Sequence, residues 1–406
     1  MPKIKNIYFV IVVLYSGMSL AFFRSHEGLI ILWAIGLFIF WKETLYPHKK
    51  LLIALGVWLI YFAINTLLIR SFHPMFMGTY IAKIMIAYWL LSYYKARIFI
   101  KYENAIYKLA IIALFFYTIQ LVAPTFLHGV FKNIDLSGNL FENHAFYSSI
   151  GVYTINIRHL GFFPRNAGFC WEPGPFSSYV ILALFFHLAR NGVKIKSKKK
   201  AIVFLLTIIT AQSTTSFVVL LALILWFAWS RYKNKIFRIF SIPMAIALVI
   251  ILFVKVPWLQ EKIISESQQD IEEVITHATK TGGSYAPGRF ASFQLRWEDF
   301  KNYPIAGYGG NTSLQAGYLG EDNVVAAING LGTIMGKYGS IGLFLFFWLI
   351  FSTGKWLGKF YHYSGHLIFP ALILIISFGF GIIESPIIVT LCLVPVFLPQ
   401  KGLMNS

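Results

Sequence analysis

Apolar runs of about 15 to 25 residues follow one another along most of this 406-residue chain, and about 20 helical residues at ~1.5 Å each cross a bilayer core of roughly 30 Å. Hydrophobic residues make up 57% of the sequence and charged ones only 13%, which excludes the ordinary soluble class. The runs predict twelve transmembrane spans, at 7–23, 28–41, 51–69, 75–94, 105–127, 174–189, 201–212, 215–230, 239–257, 340–354, 367–383 and 386–399. Ten or eleven spans with a re-entrant piece stay open, because 201–212 and 386–399 are short. The first run follows Lys3 and Lys5 as a signal peptide would, but no small-x-small cleavage site follows it, so it reads as an uncleaved span. The expected fold is therefore all-α: one polytopic integral membrane domain over 1–406.

A net charge of +19 invites a nucleic-acid reading, and its distribution argues against one. With a cytoplasmic N-terminus, one set of connections collects Lys42, Lys49 and Lys50; Lys95, Arg97 and Lys101; Arg190, Lys194, Lys196 and Lys198 to Lys200; Arg231, Lys233, Lys235 and Arg238; Lys355 and Lys359; and Lys401. The opposite short turns carry little beyond Arg24 and Arg70. That is the positive-inside pattern, so the basic excess is a topology signal and no nucleic-acid partner is expected. It predicts a multi-pass protein with both termini cytoplasmic.

Two long loops, 128–173 and 258–339, fall on the other, outer side and hold nearly all the acidic residues. Loops longer than about 15 residues in a compact chain are usually functional or disordered. These are rich in aromatics and glycine, which favours function. In the second, 261–279 reads as a polar amphipathic helix, 282–288 as a break, 289–302 as a helix with Phe290, Phe293 and Trp297 on one side, and 324–337 as an apolar stretch.

The first loop ends in Gly-Phe-Phe-Pro-Arg-Asn-Ala-Gly-Phe-Cys-Trp-Glu-Pro-Gly-Pro, residues 161–175. Pro164 and Gly168 bracket Arg165 with backbone that cannot continue a helix, and a guanidinium presents a planar fork suited to phosphate oxygens. Glu172 then opens a helix at Pro173, where free N–H groups favour anions. An Arg165–Glu172 ion pair that staples the loop is the plainer alternative. Arg289, after Pro287-Gly288, is the second candidate, with a solvent-facing loop residue as its plainer reading; Arg158 and Arg296 are weaker. Lys83 lies mid-span, where a lysine costs about 2.5–3.5 kcal/mol, so a cavity or a partner is expected around it. Ser213, Thr214, Thr215 and Ser216 join two spans and either bind substrate or cap the helix. Trp171, Tyr308 and Tyr318 could stack on sugars or simply pack. Cys170, Cys392, His144 and His159 show no metal spacing, and the chain has no Walker A, Rossmann, G-x-S-x-G or D-x-D signature. No metal and no cofactor is expected.

The pattern R-x-x-G-x-x-x-E-P-x-x-F, here Arg165, Gly168, Glu172, Pro173 and Phe176, resembles the outer-loop motif of bacterial O-antigen polymerases of the Wzy type. The Ser213–Ser216 turn, the Gly288-Arg289…Trp297…Pro304-x-x-Gly307-x-Gly309 pattern, and Asn329 with Tyr338-Gly339-x-Ile341-Gly342 resemble further features of that family, in the right order over 160–345. The resemblance implies a GT-C-like glycosyltransferase of the bacterial inner membrane with its active site on the periplasmic side. It implies that a growing glycan moves from undecaprenyl pyrophosphate to a lipid-linked oligosaccharide repeat unit, with inversion and without metal. Donor and acceptor would both be undecaprenyl-pyrophosphate-linked oligosaccharides; membrane lipids and a chain-length regulator are the other partners it suggests. Arg165, Glu172 and Arg289 are then the expected catalytic residues, with Arg158, Arg296, Asn329, Ser213, Thr214, Thr215 and Tyr308 binding substrate and Glu298, Asp299 and Asp322 as reserve bases. The related O-antigen ligases usually carry a His before that Asn; here it is Ile328, which favours a polymerase. A ligase-type glycan transferase, a transporter of lipid-linked sugars and a scaffold for polysaccharide assembly are the rival readings.

Overall fold

The computed structural model describes residues 2–138, 147–156, 164–192, 198–231, 264, 269–280, 287–320, 323–325 and 327–398. Arg158, His144, His159, Asp322 and the span expected at 239–257 lie outside the described residues. In chain order the helices are α1 (Pro2–Ser16), α2 (Ala21–Arg24), α3 (His26–Ile39), α4 (Trp41–Leu45), α5 (Lys49–Ile69), α6 (Pro74–Tyr94), α7 (Ile98–Val122), α8 (Pro124–Asn133), α9 (Pro173–Asn191), α10 (Lys198–Ala211) and α11 (Thr214–Arg231). They continue with α12 (Ile271–Lys280), α13 (Arg289–Asn302), α14 (Gly330–Phe360), α15 (Ile368–Gly379), α16 (Pro386–Cys392) and α17 (Val394–Phe397). Two small antiparallel hairpins complete the described fold: β1 (Tyr147–Ser149) pairs with β2 (Thr154–Asn156), and β3 (Tyr318–Gly320) with β4 (Asn323–Val324).

The chain forms two compact units. One takes Met1–Leu55, Thr79–Val219 and Ser385–Ser406; the other takes Gly56–Gly78 and Leu220–Glu384. In the first unit α9 is the central helix, buried at every residue from Pro173 to Ala189. Pro173 takes the first helical position, where a missing N–H costs nothing, and Gly192 at φ +62° closes the helix. α7 packs on α9: the Tyr102 hydroxyl donates to the Tyr179 carbonyl at 2.9 Å, and the Phe99 and Phe186 rings lie 4.8 Å apart. The Tyr179 hydroxyl donates to the Ser16 carbonyl at 2.7 Å, and the Ile387 N–H to the Ser16 hydroxyl at 3.1 Å, so α1 and α16 close on α9.

In the second unit α13 lies against α14, where Gly332 and Gly336 let the Arg296 and Asp299 side chains approach the α14 backbone. α12 is amphipathic and buries Val274 and Ala278 with Ala291, Leu295 and Val325, a small core of its own. The polar helix expected from 261 onward is described over Ile271–Lys280, and the helix expected at 289–302 spans Arg289–Asn302.

The twelve-span, GT-C-like polytopic fold is corrected here. Among the described residues three helical stretches are long and apolar enough to cross a membrane: Lys49–Ile69, Pro74–Val122 and Gly330–Phe360. The other apolar runs among the described residues fold into shorter or less apolar pieces. α1 and α3 have 15 and 14 residues, about 20 Å at ~1.5 Å each against a core of roughly 30 Å. The run read as 7–23 stops at Ser16, because Gly17 packs against Phe169 and Met18 turns at φ +52°. α10, α15 and α16 have 14, 12 and 7 residues. α9 has 19 residues but opens on Pro-Gly-Pro-Phe-Ser-Ser and closes on His-Leu-Ala-Arg-Asn. The spans expected at 75–94 and 105–127 are joined through a 3-10 turn, Lys95–Arg97, into one helical stretch of 49 residues. The localisation falls with the count. A multi-pass inner-membrane protein with both termini cytoplasmic and a periplasmic active site rested on twelve alternating crossings, and three candidate spans do not supply that alternation.

Candidate functional site

In the first unit the segment after Pro164 is pinned against the end of α10. The Arg165 Nε donates to the carbonyl of Ala211, the last residue of α10, at 3.2 Å. Asn166 donates from its backbone to the Thr210 carbonyl at 3.0 Å and from its amide to the Thr210 hydroxyl at 3.1 Å. Its Oδ1 accepts the Gly168 N–H at 3.1 Å, folding an Asx turn. Gly168 sits at φ +50° with the Phe176 ring where a Cβ would be, so no other residue fits that turn. The last carbonyls of a helix lack intrahelical partners and carry the negative end of its dipole, so a guanidinium there is stabilised.

The hydroxyl-rich turn follows directly. Gln212 turns at φ +49°, and the Ser213 carbonyl accepts the Phe217 N–H at 3.0 Å as α11 begins. Ser213 and Ser216 are buried, Thr214 and Thr215 half-buried. The Ser216 hydroxyl pairs with that of Ser177 in the first turns of α9. Glu172 is the N-cap of α9 but its side chain does not cap the helix. The fold thus brings the Arg165 segment, the Glu172-Pro173 helix start and the Ser213–Ser216 turn together, although about 45 residues of sequence separate the first from the last.

In the second unit Arg289 opens α13 and is anchored in the same way. Its Nε donates to the carbonyl of Gly379, the last residue of α15, at 3.2 Å, and its guanidinium lies 5.3 Å from the Phe380 ring centre. Asn329 is fully buried. Its Oδ1 caps α14 through the Gly332 N–H at 2.7 Å, and its amide donates to the Arg289 carbonyl at 3.3 Å.

α14 is broken at Gly339, whose φ +60°, ψ −160° is open to glycine alone. The 304–309 turn fills the break. Tyr308 and Gly309 N–H groups donate to the Gly336 and Lys337 carbonyls at 3.1 and 3.0 Å, while Ser340 and Ile341 donate to the Pro304 and Ile305 carbonyls at 2.8 and 3.1 Å. From α5, Asn65 and Tyr61 hold the Ala306 carbonyl at 2.8 and 2.7 Å. The Pro-x-x-Gly-x-Gly and Tyr-Gly-x-Ile-Gly patterns are thus two halves of one backbone splice.

Arg296 is buried beside that splice. Its Nη1 donates to Asp299 at 2.7 Å and Gln315 at 2.6 Å, the guanidinium lies 5.6 Å from the Tyr308 ring centre, and among the described residues its Nε has no hydrogen-bond partner. Burial works against the Arg296 charge, but Tyr308, Asp299 and Glu384 outweigh it and its pKa is raised. Burial pushes Tyr308 up to about 12, with Arg296 opposing and the two carboxylates reinforcing the shift.

Residues 201–347 match the Wzy_C family, described as O-antigen ligase. The match takes in the Ser213–Ser216 turn, Arg289, Arg296, the splice and Asn329. It covers less than half of the chain and stops short of Arg165 and Glu172. It supports a function of the O-antigen polymerase/ligase kind in general, an enzyme of that superfamily, with lipid-linked oligosaccharides as the typical substrates. No curated protein and no solved structure matches the chain.

The sequence-predicted residues divide between the two units. Arg165, Glu172, Ser213, Thr214 and Thr215 lie in the first unit; Arg289, Arg296, Asn329 and Tyr308 lie in the second. Tyr308 is buried, Trp171 half-buried and Tyr318 exposed. Lys83 is buried with its ammonium 4.6 Å from the Tyr80 ring centre. Among the described residues no three His, Cys, Asp or Glu side chains come together in a metal-sized group.

Two charged clusters escaped the sequence. Glu103, buried in α7, accepts from Arg190 at 2.7 Å and Lys200 at 2.9 Å and pairs with His187 at 3.0 Å. Two cations read as topology signals are therefore partners of a buried carboxylate. Glu384 bonds Lys337 at 3.0 Å and accepts from the Tyr338 hydroxyl. A lone carboxylate in an apolar C-terminal stretch, two residues before Pro386, was the available signal.

Proposed function

We propose that the chain is a polysaccharide polymerase that transfers a growing glycan from undecaprenyl pyrophosphate to a hydroxyl of a lipid-linked repeat unit. The acceptor oxygen bonds to the anomeric carbon with inversion, and the bond from that carbon to the pyrophosphate oxygen breaks. The acceptor proton passes to a carboxylate, with Glu172 in that role. Negative charge grows on the departing pyrophosphate, and fixed cations lower that barrier. Arg165 and Arg289 are the cations, and Ser213, Thr214 and Thr215 add donors at the start of α11. No metal and no nucleotide sugar takes part.

One observation carries the reading: the Arg165 Nε rests on the Ala211 carbonyl at 3.2 Å, beside the opening turn of α11. A guanidinium fixed through its Nε beside the first N–H groups of a helix is placed where a phosphate group would be met.

The ligase reading draws on the family's own description; Ile328 before Asn329 speaks for the polymerase. The experiment is purified protein with a chemically defined undecaprenyl-pyrophosphate-linked repeat unit, without metal or nucleotide sugar. A ladder of longer lipid-linked glycans is expected. Folded protein that yields no ladder refutes the polymerase, and glycan on a non-polyprenyl acceptor assigns a ligase.

A further inference from the structure

α7 and α8 meet at a break of one residue. The run expected to cross at 105–127 ends its helix at Val122, Ala123 leaves it at φ −139°, and Pro124 opens α8. The Ala123 N–H donates to the Ile119 carbonyl at 2.7 Å, the Leu127 N–H donates to the Ala123 carbonyl at 3.1 Å, and Pro124 has no N–H to satisfy. A turn bonded in this way is compatible with apolar surroundings, where backbone groups must find their partners within the chain.

α8 is amphipathic. Phe126, Leu127, Val130 and Phe131 form one apolar stripe at the spacing of successive turns, and Thr125, His128 and Lys132 lie on the other side. The protein covers half of the stripe. Leu127 and Phe131 are buried, with the Phe131 ring 5.7 Å from that of Phe116 on α7 and 6.0 Å from that of Tyr153. Phe126 and Val130 are exposed, Phe126 to 66%.

The surface that this stripe continues identifies its partner. On the last turns of α7, Ile111, Phe115 and Val122 are exposed along one face, Val122 to 82%. Thr118 shares that face, and its hydroxyl donates to the Leu114 carbonyl at 2.9 Å, so its polar group is already satisfied. α7 ends the stretch Pro74–Val122, which is long and apolar enough to cross a membrane. The exposed apolar face of a crossing helix meets lipid, and the exposed stripe of α8 starts four residues beyond its end. Lys132, exposed in the last turn of α8, adds a cation of the kind that meets anionic headgroups.

We infer that α8 is a lipid-contacting anchor, with Phe126 and Val130 seated at the headgroup–acyl boundary of a bilayer beside the end of α7. The loop expected from 128 onward then begins in lipid and not in water. The inference rests on Pro74–Val122 as a span and is independent of the glycan-transfer reading.

The test uses full-length protein reconstituted in vesicles of phosphatidylcholine and phosphatidylglycerol. Thr125→Cys, Phe126→Cys, Val130→Cys and Lys132→Cys each carry a nitroxide. Cys170 and Cys392 are buried, and protein without an added cysteine gives the background label. Oxygen, which concentrates among acyl chains, and a water-soluble nickel chelate are compared as relaxants of each label. Oxygen should be the stronger at 126 and 130 and the nickel chelate at 125 and 132, a reversal between the two sides of one helix. The same order at all four positions overturns the anchor. Exclusion of both reagents at 126 and 130 means that protein covers the stripe, a second copy included, and overturns it as well. If a variant does not fold, wild-type protein in vesicles that carry a diazirine on the acyl chain decides. Acyl adducts on Phe126 or Val130 support the anchor, and the absence of adducts on α8 overturns it.

Discussion

Arg165 in the first unit and Arg296 in the second are both arginines near a glycine-dependent turn, yet their surroundings differ in kind. The Arg165 Nε rests on a helix-terminal carbonyl and the residue is half-buried. Arg296 is buried and joined to Asp299 and Gln315. A helix-terminal carbonyl fixes the Nε edge of the Arg165 guanidinium, whereas Asp299 meets Arg296 with an opposite charge. Arg289 follows the first pattern, with its Nε on the Gly379 carbonyl. Two arginines in separate units thus share one anchoring device, while the third is paired with a carboxylate. The burial and the ion pair of Arg296 mark it as the arginine whose loss the fold would feel most.

The sharpest way to break this comparison is to remove each arginine in turn. Arg296→Ala leaves Asp299 buried without its partner, a loss of about 3–5 kcal/mol, and should show first as a fall in melting temperature. Arg165→Ala should keep the melting temperature and lower turnover in the ladder assay by about 10²–10³, the scale of one lost charge-stabilising donor. Arg165→Lys should recover only part, because the planar fork is gone. A stable Arg296→Ala protein with turnover down a hundredfold, beside an active Arg165→Ala protein, would reverse the two roles. Next in size is Gly339→Ala. The glycine's φ and ψ are closed to alanine, and a Cβ would run into the Ile305 carbonyl. About 1–3 kcal/mol of backbone strain is expected before the clash is counted, read as a lower melting temperature with loss of the 304–309 docking. A neutral Gly339→Ala would mean that the splice is not what positions Tyr308 and Arg296.

Asn329 probes the Arg289 side. Its Oδ1 caps α14 and its amide holds the Arg289 carbonyl. Asn329→Ala should cost about 1 kcal/mol as a lost cap, and Asn329→Asp, which keeps the acceptor, should lose less. If both variants kept full stability and bound undecaprenyl pyrophosphate more weakly, Asn329 would belong to the ligand and not to the helix start.

The residues explain how much of this could be read in advance. Apolar runs located most of the helices, because burial and helix formation both follow from them. They did not give helix lengths: Gly17 and Met18 end α1 where the hydropathy continues to Phe23. Arg165, Glu172, Gly288-Arg289 and the glycine patterns stood out because charge, proline and glycine in an apolar chain are rare and local. What those residues bind was not legible, since Ala211, Gly379 and Gly336 act through backbone carbonyls, which any residue carries. Glu384 and Glu103 were hidden for the opposite reason, each a single carboxylate whose partners lie elsewhere in sequence.

The alkaline limb of the stability curve tests the cluster around Arg296 by a proton. Tyr308 has its pKa raised to about 12, chiefly by burial, from an ordinary 10. A folded-state pKa above the unfolded value gives stability that is fully present below pH 10 and is lost as pH rises through 12. In that window the unfolded chain gives up the phenol proton and the folded chain keeps it. Tyr308→Phe removes this one linkage. The variant's stability should therefore fall less steeply than wild type between pH 10 and 12, by at most about 1.4 kcal/mol per pH unit. Other buried tyrosines contribute to both proteins alike, so the difference between the two alkaline melting curves isolates Tyr308. Identical slopes would mean that the phenol ionises as readily folded as unfolded, against the burial and the neighbouring Asp299 and Glu384 carboxylates that hold its proton.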